Sequence, residues 1–226
     1  MGETSPELQL IGVSKSYPPA TRALQDVSVE IFAGESVAIV GPSGSGKSTL
    51  LAMLGLLENP DEGRRVIAGL DTDTASEREL TRLRRTHISF VFQAFHLLEH
   101  LTVTENVLHA LQIRGVSGGA ARTAATEAIR SVGLQHRSHA KPGTLSGGER
   151  QRAAIARAVA MQPRVLLCDE PTGNLDTTTA ESVLQLLLAQ ADAGTAVVIV
   201  THSPELAARC DRTIRVLDGR VHHAAA

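Results

Sequence analysis

The stretch Gly41-Pro42-Ser43-Gly44-Ser45-Gly46-Lys47-Ser48, followed by Thr49, decides the reading of this chain. It fits the pattern G-x-x-x-x-G-K-[ST], and each position has a physical reason. Gly44 and Gly46 let the backbone turn tightly enough for its N–H groups to converge on phosphate oxygens. Lys47 supplies a mobile positive charge for the β- and γ-phosphates, and the Ser48 hydroxyl is a ligand for Mg2+. A helix leaving the loop near Lys47 points its positive end at the same anion. A Gly/Ser linker between a strand and a helix would have similar composition. The flanks argue against it, because Ser36–Val40 reads as a strand and Thr49–Leu57 as a helix.

Working outward, short β-branched apolar runs alternate with helical patterns, which predicts an α/β fold. The expected strands are 8–13, 27–32, 37–40, 87–92, 165–168, 197–201 and 213–217. The expected helices are 47–57, 104–114, 120–132, 149–161, 178–191 and 204–209. No strand pattern occurs between Ala94 and Met161, so residues 94–161 read as a helical insert within a single domain spanning 1–226. Ser117-Gly118-Gly119 reads as a plain helix–helix connection, with no Lys and no preceding strand.

Two further motifs carry chemistry. Arg164–Cys168 is an apolar strand ending in Asp169-Glu170-Pro171. A solvated turn would look the same in isolation. Beside a phosphate loop, an Asp at a strand end holds Mg2+, and Glu170 is placed to orient and deprotonate an attacking water. The second motif is Leu145-Ser146-Gly147-Gly148-Glu149-Arg150-Gln151, ahead of an Ala-rich helix. Ser146 and Glu149 make a plausible capping box. A cap does not explain two glycines, each costing a helix about 1 kcal/mol relative to Ala. Close approach of backbone N–H groups to an anion would explain them.

With two phosphate-binding devices in one chain, the sequence resembles the ATPase subunits of ABC transporters from about Leu8 to Val221, with motifs in that family's order. The resemblance implies a P-loop NTPase core of RecA type with an antiparallel β subdomain and a helical insert. It implies ATP and Mg2+ as ligands. It also implies a head-to-tail homodimer in which Ser146, Gly147 and Gly148 cap the γ-phosphate of ATP on the opposite subunit. By the same resemblance, Tyr17 stacks on adenine, Gln93 contacts Mg2+ and senses the γ-phosphate, Gly173–Asp176 crosses the dimer interface, and His202 contacts the γ-phosphate. Each has a plainer alternative: a stray surface aromatic for Tyr17, an N-cap for Asp176, a residue preceding the helix start Ser203-Pro204-Glu205 for His202. The segments Val91–Leu98, Pro171–Asp176 and Thr201–Ala207 resemble bacterial macrolide-export and lipoprotein-release ATPases. The implied partner is an integral membrane permease. From the position of Gln93, the segment Ala94–Leu101 is expected to receive a short helix of that permease, the plainer alternative being that Phe95, Leu97 and Leu98 pack the insert against the core. An ABC-type ATPase that regulates a membrane partner in cell division or envelope remodelling, without transport, is the alternative.

Composition bounds these readings. The formal net charge is -2, aromatics are 2% and Trp is absent. This speaks against a nucleic-acid partner, which calls for basic excess and stacking surfaces. Neither Cys168 nor Cys210 has a partner at metal-ligand spacing, which fits a reducing compartment. No apolar stretch has the length of a membrane span. The expected place is cytoplasmic, peripheral on the inner face of the cell membrane.

Overall fold

The computed structural model describes residues 5–19 and 21–223. A four-stranded sheet has the order β2-β1-β4-β5, with β1 (Leu8–Tyr17), β2 (Thr21–Ile31), β4 (Glu62–Ile67) and β5 (Leu70–Asp71) paired antiparallel. A six-stranded sheet has the order β10-β9-β3-β8-β7-β6. It is built from β3 (Ser36–Val40), β6 (Ile88–Phe92), β7 (Val165–Asp169), β8 (Ala196–Val200), β9 (Arg212–Leu217) and β10 (Arg220–His223). Its pairs are parallel except the β9–β10 hairpin.

The parallel strands are apolar on both faces because both faces are covered. Alternate residues therefore feed two cores. Val165 and Leu167 of β7, with Val198 and Val200 of β8, pack beside α1 (Lys47–Leu54) and the antiparallel sheet. Leu166, Cys168, Val197 and Ile199 pack on the other face. That second core also takes residues of α3 (Val103–Arg114), α4 (Gly118–Ser131), α5 (Gly147–Val159) and α6 (Thr177–Asp192). The remaining helices are α2 (Glu77–His87) and α7 (Pro204–Ala207).

Several elements differ from the sequence reading. Helix α1 stops at Leu54, since Gly55 follows and a side chain there would strike the Phe90 ring. Strand β4 hides behind its arginines. Arg65 is fully buried, donating to Thr72 Oγ1 (2.9 Å), Met53 O (3.1 Å), Glu58 O (2.6 Å) and Asn59 Oδ1 (3.2 Å). Helix α2 was masked by its charge. It buries only Leu80 and Leu83, and a capping box of Ser76 and Glu79 starts it. His87 ends α2 instead of opening β6. Ser117-Gly118-Gly119 is a helix start, with Ser117 as N-cap and the α3–α4 connection lying at Gly115–Ser117. Between β6 and β7 the chain holds helices and two short 3-10 turns, without a strand.

Candidate nucleotide site

The carboxyl ends of β3, β6, β7 and β8 lead into the loops that carry the chemistry-bearing residues, the usual place for ligands in a parallel α/β sheet. From β3, Gly41 (φ 156°), Pro42, Ser43, Gly44 (φ 77°), Ser45 and Gly46 (φ 108°) make a loop that only glycine can follow at its turning points. Packing adds a second demand. A Cβ on Gly41 would collide with Val216 O, and one on Gly46 with Ala23 O. Gly219 donates to Ser45 O (2.9 Å), so the β9–β10 turn braces the loop. Helix α1 opens at Lys47 with Gly46 as N-cap and no side-chain cap. The first-turn N–H groups at Lys47, Ser48 and Thr49 therefore remain for an anion. Lys47 is buried and donates to Gly41 O and Pro42 O, both at 2.9 Å. Burial lowers its ammonium's pKa, opposed by the charges of Glu170 and Asp169.

Asp169 ends β7 and is only partly exposed. Burial raises its carboxyl above the ordinary value, and the neighbouring Glu170 charge adds to this. A cation at this point would relieve both penalties. Glu170 has φ 45° and donates its N–H to Val200 O (3.0 Å), which turns its side chain off the strand line. His202 Nε2 lies 3.0 Å from Glu170 Oε1. Gln93, just past β6, donates through Nε2 to Asn174 Oδ1 (3.1 Å). Gly173 makes the juncture possible, since a Cβ there would come within 2.8 Å of Gln93 Nε2 and 3.3 Å of Glu170 Oε2. The structure thus brings Gln93, Asp169, Glu170 and His202 together. The sequence reading gave no role of this kind to Gly173. Its single legible sign was a glycine three residues after Glu170, close behind the acidic strand end.

Ser48, Gln93 and Asp169 offer hydroxyl, amide and carboxylate oxygens, a hard donor set suited to Mg2+. Among the described residues no cluster of three His, Cys, Asp or Glu forms a metal cage. Mg2+ characteristically takes one or two carboxylates plus substrate phosphates.

Ser146 lies elsewhere, as N-cap of α5, with a complete capping box: Ser146 N–H donates to Glu149 Oε2 (2.8 Å) and Glu149 N–H to Ser146 Oγ (3.2 Å). Glu149 Oε1 also meets Arg137 Nε at 3.2 Å. The structure gives Gly148 a packing reason beside the anion argument, because a Cβ would strike Thr179 Cγ2 of α6. Gly147 is freer, with Leu175 Cδ2 at 3.6 Å. Asp176 does cap α6, accepting from Thr179 N–H at 3.0 Å. Tyr17 closes β1, half-exposed, with Lys15 Nζ 5.6 Å from its ring centroid.

Residues 24–173 match the ABC transporter family, an interval containing both glycine motifs and the acidic strand end. The chain belongs to the ABC transporter family. It is an ATP hydrolase of the ABC type. It is 46% identical over 223 residues to the lipoprotein-releasing system ATP-binding protein LolD of Bordetella pertussis, covering 97% of this chain and 96% of that one. It is 43% identical over 217 residues to the macrolide export ATP-binding/permease protein MacB of Photorhabdus laumondii, covering 95% of this chain. It spans about a third of that relative's length (34%). Among solved structures it is similar to the ATP-binding cassette MJ0796 in a dimeric post-hydrolysis state bound to ADP and Pi. That similarity has a TM-score of 0.86 and 40% identity, and covers 96% of this chain and 97% of that one. No described helix is long and apolar enough to cross a membrane.

Proposed function

We propose that this ABC ATPase closes as a head-to-tail dimer around two Mg-ATP and drives a separate membrane permease, in export or in extraction of lipoproteins or lipids. The observation that carries the dimer is the placement of the two glycine loops. Helix α1 packs into the core on one face of the parallel sheet, and α5 into the core on the other. One phosphate tail on one chain has no use for both. The names of the relatives, a lipoprotein-releasing ATP-binding protein and a macrolide exporter, support the export branch.

Within this reading the protein's contribution is positioning and charge neutralisation. The loop N–H groups and Lys47 hold the phosphates. Tyr17 stacks on the adenine. Glu170 orients the attacking water and takes its proton, with His202 Nε2 beside its carboxylate at 3.0 Å from Oε1. Ser48, Gln93 and Asp169 would hold Mg2+, which supplies neutralisation of phosphate charge when bound. The loop after Gln93 is the proposed seat of the permease, on the cytoplasmic face of the membrane. A cavity of about 320 Å³ lined by Ser89, His96, Leu98, His109, Ile113 and Met161 lies beside it. Cysteines replacing His96 or Glu99 are expected to crosslink to that subunit. Failure at every tested position would remove the docking site.

Glu170→Gln tests the core of the proposal. Gln still holds the water but accepts no proton at neutral pH. The variant is expected to bind ATP, to lose nearly all turnover, and to run as a dimer in ATP but a monomer without it, by size exclusion with light scattering. Turnover at the parent rate would remove Glu170 from the reaction. An inactive variant that stays monomeric in saturating ATP would sink the dimer.

A further inference from the structure

The loop that follows Gln93 is held in a conformation its residues resist. Phe95 (φ 60°) and His96 (φ 50°) are consecutive non-glycine residues in the left-handed region. Such backbone is costly for a residue with a Cβ and persists only where its surroundings enforce it. The enforcement comes from α5. The Arg157 guanidinium donates to Phe95 O (3.0 Å) and to His96 O, one group gripping both strained peptides. Seven residues earlier on the same helix face, the Arg150 guanidinium stands 5.3 Å from the centroid of the Phe95 ring. Among the described residues no carboxylate pairs with Arg157, and burial lowers its pKa, so the two carbonyls are its main compensation.

The grip bears on Gln93 because Gln93 sits inside the same turn. Phe95 N–H donates to Phe92 O (3.2 Å), closing a four-residue turn over Gln93 and Ala94, and His96 N–H donates to Ala94 O (2.6 Å). Beyond the turn, Gln93 reaches Asn174 and packs against Gly173, next to Glu170. At the other end, Arg150 belongs to the motif that begins at Leu145. Arg157 lies eleven residues past Ser146, about 16 Å along a helix with 1.5 Å rise. Ala154, Ile155 and Ala156 are fully buried, so the middle of α5 is held in close packing between its two arginines.

We propose that Arg157, backed by Arg150, is a positioning residue for Gln93: it ties the helix led by Ser146 to the turn that aims the Gln93 amide, so that what docks on Ser146 is felt at Gln93 of the same chain. This rests on the reading of Gln93 as a contact of the Mg2+ and γ-phosphate. Arg157 touches no substrate atom and acts only through the turn.

The test is a double-mutant cycle on steady-state ATP hydrolysis by the full chain. Arg157→Gln in the parent is expected to lower kcat by about tenfold, with ATP affinity of the monomer unchanged. In a Gln93→Ala background the same substitution is expected to cost less than about twofold, because its route is already cut. Arg157→Lys is expected to fall between, since a point donor serves one carbonyl well and two poorly. In the absence of nucleotide, hydrogen exchange at the Phe95 and His96 amides is expected to rise about tenfold in Arg157→Gln while β6 and β7 keep their protection. Phe95→Ala, which leaves α5 intact, is expected to reproduce the kcat loss in part and serves if Arg157→Gln folds poorly. Equal loss in both backgrounds would make Arg157 a structural residue only and overturn the proposal, as would unchanged exchange at 95–96. If Gln93→Ala itself turns over at the parent rate, the reading of Gln93 falls and this inference with it. If Gln93→Ala is impaired and Arg157→Gln is not, the inference alone falls.

Discussion

The loops at Gly41–Ser48 and Ser146–Gln151 both use glycines to open a helix, yet they are built by opposite means. The first holds Gly41, Gly44 and Gly46 at positive φ and gives α1 no side-chain cap. The second keeps Gly147 and Gly148 out of that region and gives α5 a complete capping box. The difference is physical. A loop that wraps an anion within its own chain needs backbone curvature and free N–H groups on several sides. A helix end that meets an anion from outside needs a firm first turn and small residues on the approaching edge. Its cap bonds Ser146 N–H and Glu149 N–H, leaving those of Gly147 and Gly148 without a partner among the described residues.

The comparison breaks or holds first on binding. Lys47→Ala is expected to abolish tight Mg-ATP binding to the monomer with the fold intact. Ser146→Arg is expected to leave that binding unchanged and to block ATP-driven dimerisation in the Glu170→Gln background. Calorimetry and light scattering read the two. Equal ATP affinity in Lys47→Ala and its parent would remove the phosphate loop, and weaker monomer binding in Ser146→Arg would merge two sites that are kept apart here.

The glycines give the next largest contrast, in thermal or denaturant unfolding. Gly46→Ala meets a φ of 108° and the Ala23 carbonyl, and is expected to cost about 2 kcal/mol or more. Gly147→Ala meets only ordinary contact with Leu175 and is expected to leave stability unchanged or raise it by up to about 1 kcal/mol. Gly148→Ala separates packing from anion approach: its clash with Thr179 is expected to destabilise, and Thr179→Ser beside it to restore part of the loss. Indifference at Gly46 would mean the loop is not under the constraint its dihedrals imply.

The smallest effect is on pH. Hydrogen bonds from Ser146, first its backbone N–H, hold the Glu149 carboxyl below its ordinary value. A group depressed in the fold contributes stability above its unfolded pKa of about 4.3, lost as pH falls through the folded value. The α1 cap contains no acidic residue. Melts from pH 7 down to 3 should therefore show Glu149→Gln losing less stability than the parent, the two curves converging in acid. Parallel curves would mean that the box does not form in solution.

Much of this was legible in the chain itself. The phosphate loop, the apolar strands and the acidic pair at Asp169-Glu170 are local patterns, each set by what a few adjacent residues can do. The expected core strands 37–40, 165–168 and 197–201 lie within an element or one residue of it, because strands buried on both faces announce themselves as apolar runs. What stayed hidden obeys distant neighbours. Strand β4 carries arginines because Arg65 finds its acceptors in Met53, Glu58, Asn59 and Thr72, which only folding gathers.

The sequence by itself determined the chemical inventory and the family, because each motif is short and its backbone demands are written in its own glycines and carboxylates. Only the tertiary structure decided that α1 and α5 pack on opposite faces of the sheet, that Gly173 admits Gln93 beside Glu170, and that Arg157 grips Phe95 and His96. Those contacts join residues sixty to eighty positions apart, and no periodicity or spacing along a chain encodes which distant carbonyl a guanidinium will find.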